Sequence, residues 1–217
     1  MSTGGAWSAP QQERSRRTHV AILTAGTELL EEGGLDALVV SAVAERAGVS
    51  VGGVYRRFGT KDRLLLALQE RFTAGFLEDF QARVAGAGDD MDGPELVRLA
   101  VHGLAETLST RARLLRVFIL ISTQNDAVLA IGSKAAQEVG MAFRALVRRA
   151  ERAVMRPDPE AAIDLVYRIV YAAAEHRVIH VAEDMESDRP LSWAALVDEL
   201  SLAAQLYLFA EPLKPIM

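Results

Sequence analysis

The chain has 217 residues, contains no cysteine and carries a formal net charge of −5 at pH 7. The lack of cysteine excludes disulfides, thiolate metal ligands and thiol nucleophiles. Half of the residues are apolar, so we expect a folded chain with a substantial core rather than a disordered one. Residues 1–19 are polar and no apolar run is long enough for a bilayer, so we expect a soluble, cytoplasmic protein.

The predicted elements begin after residues 1–14, which are rich in Ser, Gly, Pro and Gln and which we interpret as a disordered arm. From there on, apolar residues recur at helical spacing and no strand pattern is present. The first helix carries an apolar stripe from Ile22 to Leu30, and the pair Gly33-Gly34 is expected to stop it.

Two short helices are predicted next, over Val40–Ala47 and Val51–Phe58, with a three-residue turn between them. This is the arrangement of a helix-turn-helix. Ala44 is small enough for the helices to cross closely, Gly48 can adopt the left-handed conformation that reverses the chain, and Ser50 can cap the second helix. Their small shared core is expected to contain Val43, Ala47, Val49, Val54 and Phe58.

The rest of the chain is predicted to be helical as well. Gly59 ends the preceding helix, Thr60 caps a long helix from Lys61 to about Val84, and a loop follows. Further helices are expected at 95–109, 111–123, 126–154, 159–186 and 191–210, with Arg189-Pro190 separating the last two. The sequence therefore predicts an all-α fold of about nine helices.

Charge is unevenly distributed along the chain. Residues 1–72 hold nine Lys and Arg against eight Asp and Glu, whereas residues 73–217 hold 15 against 21. The N-terminal cations cluster at Arg14-Arg16-Arg17 and at Arg56-Arg57. An acidic body with one locally basic end is typical of a protein that contacts phosphates at that end.

The helix-turn-helix segment resembles a known family. Glu45-Arg46-Ala47-Gly48-Val49-Ser50, followed by Gly52, Tyr55, Phe58, Gly59 and Lys61, is similar to the signature of the tetracycline-repressor (TetR/AcrR) family. The resemblance extends over about residues 17–72. It implies a DNA-binding domain at 15–60, an effector-binding and dimerisation domain at 61–217, and a homodimeric transcriptional regulator, usually a repressor that a small molecule releases from a palindromic operator.

The resemblance also implies which residues contact DNA. Ser50, Tyr55 and Lys61 would bind phosphates, Gly52 would allow close approach to the major groove, and Arg56 would contact a guanine or the backbone. The expected DNA-binding residues are Ser50, Val51, Gly52, Gly53, Tyr55, Arg56, Arg57, Thr60 and Lys61. Three positions depart from the family pattern: Val51 stands where Lys is frequent, Gly53 where Thr or Asn is common, and Val39 where a Thr often caps the second helix.

The larger domain offers candidates for an effector pocket and a dimer interface. The expected pocket residues are Phe72, Phe76, His102, Phe118, Gln124, Asn125, Met141, Phe143 and Tyr167, apolar walls with a few polar groups. Two long apolar stripes near the C-terminus favour a four-helix dimer interface. Its expected residues are Tyr171, Ala174, Val178, Trp193, Val197, Leu200, Ala204 and Tyr207.

Two other functions are compatible with the sequence. His176 and His180 lie four residues apart on one helix face, and Glu183 or Asp184 follows one turn later, which is a possible metal site of a helical enzyme. Arg177 follows His176 in place of the Glu of an H-E-x-x-H motif, which argues against that enzyme. The other alternative is an interaction module that has lost DNA binding. We recognise no nucleotide loop, catalytic serine elbow or paired catalytic carboxylates, so we expect no enzyme, no cofactor and no metal.

Overall fold

The computed structural model describes residues 8–180 and 191–211, and within these ranges it is all-helical. Its elements are α1 (Ser8–Ala37), α2 (Val40–Arg46), α3 (Val51–Phe58), α4 (Lys61–Arg83), α5 (Gly93–Thr110), α6 (Ala112–Ser122), α7 (Asp126–Val147), a 3₁₀ turn (Arg148–Ala153), α8 (Pro159–Ile179) and α9 (Trp193–Phe209). The predicted all-α class is confirmed. The predicted helix at 126–154 ends earlier, at Val147, and continues as the 3₁₀ turn.

The first helix starts earlier than its apolar stripe predicts. Residues 8–14, for which a disordered arm is expected from composition, form the first turns of α1, while residues 1–7 lie outside the described residues. Proline is tolerated in the first turn of a helix, so Pro10 does not prevent this extension. Ion pairs of Glu13 with Arg16 (3.4 Å) and with Arg17 (3.0 Å) add helical support one turn further on.

At its other end, α1 is interrupted where the glycine pair predicts a stop. Gly33 and Gly34 have non-helical backbone angles, with φ of +64° at Gly34. A short helical segment follows as far as Ala37, so the glycine pair kinks α1 but does not end it.

The chain divides into two compact units, residues 1–72 with 117–131 and residues 73–116 with 132–217. From the sequence we expect the DNA-binding domain to end at residue 60. The first half of α4 belongs to the first unit because Leu64, Leu65 and Leu68 are buried there. Gln69 reinforces this unit from its buried position, since its Nε2 donates to the carbonyl oxygen of Val128 at 2.8 Å.

The second unit is built around α5. Half of the positions of this helix are buried, and it contacts both α8 and α9. A capping box starts it: the Asp92 carboxylate accepts from the Glu95 backbone amide at 2.9 Å, and the Glu95 carboxylate accepts from the Asp92 amide at 3.0 Å. Within the described ranges, no helix is both long and apolar enough to cross a membrane.

Candidate nucleic-acid interface

The turn between α2 and α3 has the backbone geometry that its residues predict. Gly48 has a φ of +65°, the left-handed conformation that glycine adopts at little cost. Ser50 is the N-cap of α3, and its Oγ accepts a hydrogen bond from the Gly53 amide at 3.1 Å. Val43, Val54 and Phe58 of the predicted core are buried, and so is Ala44, whereas Ala47 and Val49 are only partly buried.

The following segment is also as predicted. Gly59 ends α3 with a φ of +76°, and the hydroxyl of Thr60 accepts from the Arg63 amide at 3.2 Å to cap α4. At the start of α2, Val39 makes no side-chain cap, which confirms the loss predicted for this position.

The solvent face of α3 carries the side chains expected to contact DNA. Val51 is 42% exposed and Tyr55 49% exposed, and Gly52 and Arg56 are exposed beside them. A Cβ atom added at Gly52 would meet no atom within 4 Å. This face is therefore not packed against the rest of the protein. Because Gly52 has no side chain, another surface can approach the helix closely there.

Two of the expected DNA-binding residues are already hydrogen-bonded within the protein. Lys61 is half-buried, and its Nζ donates to the carbonyl oxygen of Leu35 at 3.4 Å. Arg57 is partly buried and donates from Nη1 to Ser15 Oγ at 3.2 Å. Ser15 is not among the residues predicted from the sequence, because it directly follows the segment interpreted as disordered and precedes the apolar stripe that identifies α1.

The residues expected in the effector pocket fall into separate groups. Phe72 and Phe118 pack together in the first unit, with ring centroids 5.2 Å apart. In the same unit Asn125 caps α7, since its Oδ1 accepts from the amides of Ala127 and Val128, and Gln124 is exposed nearby. These residues serve the packing of the first unit.

In the second unit, the expected pocket residues differ in environment. Phe143 and Tyr167 are buried with centroids 5.5 Å apart, and the Tyr167 hydroxyl donates to the Ala136 carbonyl at 2.6 Å. Burial raises the pKa of Tyr167 to about 12. Met141 is 58% exposed, so it is not part of the buried core that contains Phe143 and Tyr167.

Phe76 and His102 also lie in the second unit. Phe76 is buried, with the Arg111 guanidinium 5.8 Å from its ring centroid. His102 is partly exposed, and its Nε2 lies 3.4 Å from Oδ1 of Asp198.

Four of the residues expected at a dimer interface are in fact buried within the second unit. Ala174, Val178, Val197 and Ala204 are at most 5% exposed, so they pack against their own subunit. These positions form the inner faces of α8 and α9. From the sequence they are expected at an interface because apolar spacing alone does not distinguish a core face from an interface. Of the other four, Tyr171, Trp193 and Leu200 are partly buried, and Tyr207 is 37% exposed.

The outer faces of α8 and α9 carry a second set of apolar side chains. Leu165 and Ile169 on α8 are 41% and 50% exposed, and Leu202 and Leu206 on α9 are 49% and 58% exposed. This outer apolar face is not among the features predicted from the sequence. The sequence pattern that could have indicated it is the spacing of four residues between the two members of each pair. The same helices also carry the helical spacing of the buried apolar residues.

The proposed histidine site has no third ligand among the described residues. The rings of His176 and His180 are close, with centroids 4.4 Å apart, but no group of three His, Cys, Asp or Glu suited to a metal is present in residues 8–180 and 191–211. Glu183 and Asp184, the other ligands considered, lie outside the described residues.

Comparison with known proteins finds similarity in the N-terminal part of the chain. Residues 22–68 match the family described as bacterial regulatory proteins, tetR family. The HTH-type transcriptional repressor KstR of Mycobacterium tuberculosis is 40% identical over 81 residues, 37% of this chain and 35% of that protein. KstR of Rhodococcus jostii is 44% identical over 64 residues, 30% of this chain and 28% of that protein. The chain thus matches about a third of the length of these curated relatives.

Solved structures share the fold over most of the chain. A TetR-family transcriptional regulator from Mesorhizobium loti aligns with a TM-score of 0.71 at 15% identity, covering 89% of this chain and 96% of that one. The transcriptional regulator FadR of Bacillus subtilis, solved in complex with stearoyl-CoA, aligns with a TM-score of 0.65 at 17% identity, covering 88% and 99%. The fold, including the C-terminal helical part, is therefore shared with these regulators.

Proposed function

We propose that this chain, whose helix-turn-helix domain belongs to the tetR family of bacterial regulatory proteins, is a homodimeric transcriptional repressor that a small molecule releases from operator DNA. In this proposal it acts in the cytoplasm and has no enzymatic activity. The observation that carries the proposal is α3, which is capped by Ser50, exposes Val51, Gly52 and Tyr55 to solvent and carries Arg56 and Arg57 in its last turn.

DNA recognition is expected to use α3 in the major groove. The N-terminal residues of such a helix lie nearest the bases, and here they are Val51 and Gly52. Tyr55 and Arg56 follow one turn later on the same exposed face, within reach of a phosphate or a guanine edge. The lack of a lysine at Val51 reduces the charge of this face, so Arg56 becomes its main cation.

Homodimerisation is expected to use the outer apolar face of α8 and α9, Leu165, Ile169, Leu202 and Leu206. Exposed apolar side chains on two helices that contact each other are typical of a protein–protein interface. Two helices from each subunit would form a four-helix interface. A two-fold dimer would also carry two copies of α3 to two half-sites of a palindrome.

Effector binding is expected in the second unit, whose core contains the aromatic residues Phe80, Phe143 and Tyr167. The helix α4 contributes residues to both units, so a change in its position could alter the spacing of the two α3 helices. An effector that prefers the altered state would release DNA, and DNA would weaken effector binding by the same factor.

The experiment that tests this function is selection of bound duplexes from a random DNA pool by the full-length chain. The proposal predicts enrichment of an inverted repeat with half-sites about one helical turn, or a multiple of one turn, apart. Failure of a folded dimer to enrich any sequence would overturn it and favour an interaction module. A titration with Zn²⁺ or Fe²⁺ is the matched test of the metal-enzyme alternative, which predicts binding that His176→Ala abolishes.

A further inference from the structure

The first turns of α1 and the helix α3 line a common cleft of about 530 Å³, here called the α1–α3 cleft. Arg14 and Ser15 contribute from α1, and Gly53, Arg56 and Arg57 from α3. The residues from α1 precede the segment that matches the family, which begins at residue 22. The α1 side of the cleft therefore lies outside the segment that matches the family.

The α1–α3 cleft is positively charged without compensation. Three arginines line it and no carboxylate does, and none of the three forms an ion pair with a described carboxylate. A guanidinium cannot lose its proton at neutral pH. Three guanidinium groups around one cleft therefore favour the binding of an anion. Arginine binds phosphate oxygens with two parallel hydrogen bonds, which makes phosphate the anion best suited to this cleft.

A neighbouring cleft on α1 shows that this pattern is specific. It is similar in size, about 570 Å³, and is lined by Arg16, Arg17 and Arg46. There, Glu13 pairs with Arg16 and Arg17, and Glu32 pairs with Arg46 at 2.7 Å. Its cations are neutralised within the protein, whereas those of the α1–α3 cleft are not.

The local structure keeps the α1–α3 cleft open and its arginines oriented. A Cβ at Gly53 would lie 3.2 Å from Ser50 Oγ and 3.9 Å from Arg56 Nη2, so the glycine leaves room where the family often has Thr or Asn. Arg57 is held by its hydrogen bond to Ser15. Gly53 thus lacks the DNA contact that a larger side chain would make at this position, and it leaves space in the α1–α3 cleft for a different contact.

We infer that the α1–α3 cleft binds one backbone phosphate of DNA in each subunit, with Arg14 supplying from α1 the charge that Val51 does not supply from α3. This inference rests on the proposed function, because the phosphate belongs to DNA held by α3. Contacts to phosphate position the protein and carry no base preference. Arg14 therefore increases affinity for all sequences and leaves the selected sequence unchanged.

The test is the salt dependence of binding to a mixed-sequence DNA duplex, measured with full-length wild-type protein, Arg14→Ala, Arg14→Lys and Arg17→Ala. Each lost phosphate contact reduces the slope of log K against log salt by about 0.9, so Arg14→Ala should reduce it by about that amount per bound subunit. Arg14→Lys should restore most of the slope because it keeps the charge. Arg17→Ala removes an equally exposed cation that is already paired with Glu13, and should change the slope much less.

Alanine has the highest helix propensity, so both alanine variants should keep the helical content that circular dichroism measures. An unchanged slope for Arg14→Ala, or an equal reduction for Arg17→Ala, would overturn the inference while leaving the proposed function intact. Failure of the wild type to bind any duplex would overturn both. Inorganic phosphate added at constant ionic strength distinguishes the source of the anion: stabilisation that requires Arg14, with an unchanged DNA slope, would mean a free-phosphate site and would contradict the inference.

Discussion

Arg57 donates a hydrogen bond from Nη1 to the Oγ of Ser15 at 3.2 Å, across 42 positions of sequence. This contact links the C-terminal turn of α3 to the first turns of α1. One hydrogen bond between exposed groups adds only about 1 kcal/mol to stability, so its main consequence is geometric. It holds an arginine of α3 and the N-terminal extension of α1 on the same side of the unit.

Replacement of Gly52 by alanine should separate stability from DNA binding. Gly52 has an ordinary helical backbone, and the space that a Cβ would occupy is open, so Gly52→Ala should raise the free energy of unfolding by about 0.5–1 kcal/mol. The added methyl group would project from the face that approaches DNA, so affinity for the selected operator should fall. Thermal unfolding and fluorescence anisotropy measure the two effects.

Gly48→Ala is the control for this prediction. Its Cβ would also meet no atom within 4 Å, but its φ is +65°. The backbone strain of a left-handed alanine should lower the free energy of unfolding by about 1–2 kcal/mol. Equal stabilities for the two variants would contradict the assigned backbone conformations.

Introduction of a cap at position 39 should stabilise the protein. Val39 is the N-cap of α2, has extended backbone angles, is 49% exposed and makes no cap hydrogen bond. Val39→Thr supplies an acceptor for the free amides of the first turn, so the free energy of unfolding should rise by about 0.5–1 kcal/mol. Ser50→Ala, which removes the existing cap of α3, should lower it by a similar amount in the same denaturant titration.

A charge on the outer apolar face of α8 should dissociate the dimer. Ile169 is 50% exposed in one subunit, so Ile169→Glu costs the folded subunit little but would bury a charge in the proposed interface. Analytical ultracentrifugation should show monomers at concentrations where the wild type is dimeric. Operator affinity should fall in parallel, because one subunit contacts only one half-site.

Leu120→Glu is the matched control for the dimer prediction. Leu120 is 52% exposed on α6 and is not one of the residues of the outer apolar face of α8 and α9, so this variant should remain dimeric. Monomers in both variants, or in neither, would show that this face is not the interface.

The stability of the second unit should respond to Glu175. Burial raises the pKa of this half-buried carboxyl, so the folded state holds the proton more tightly than the unfolded state does. Its contribution to stability is complete below the unfolded pKa of about 4.3 and is lost as the pH rises through the folded pKa. Glu175→Gln should therefore be more stable than the wild type at pH 7.

That advantage of Glu175→Gln should shrink as the pH falls through the raised folded pKa and should be lost below the unfolded value. Denaturant titrations at several pH values measure it, with Glu78→Gln, an exposed position on α4, as the control expected to show no such trend. A less stable Glu175→Gln at pH 7 would contradict this expectation, because it would mean that the carboxylate is stabilised by a partner.

The helix-turn-helix could be predicted accurately from the sequence because its determinants are local. The φ of Gly48, the cap at Ser50 and the end of α3 at Gly59 each follow from one residue type at one position. The helical fold of the rest was also predictable, since a spacing of three to four apolar residues requires no knowledge of the partner helix.

The division of faces on α8 and α9 could not be predicted in the same way. Both helices are apolar on two sides, so Val178 and Ile169 have similar sequence contexts, yet one is buried and the other is half exposed. Only the position of α5 against these helices decides which face is the core. The start of α1 was missed because Ser, Pro and Gln favour loops in composition but are tolerated in the first turns of a helix.

Sequence-specific recognition of DNA is tested most directly by a ratio of two affinities. The wild-type dimer is titrated at physiological salt with the selected inverted repeat and with a scrambled duplex of the same length. We predict that the inverted repeat binds at least about 10³-fold more tightly, the lower end of the range for specific regulators. Equal affinity for the two duplexes would contradict this function, because the protein would then bind phosphates without reading a sequence.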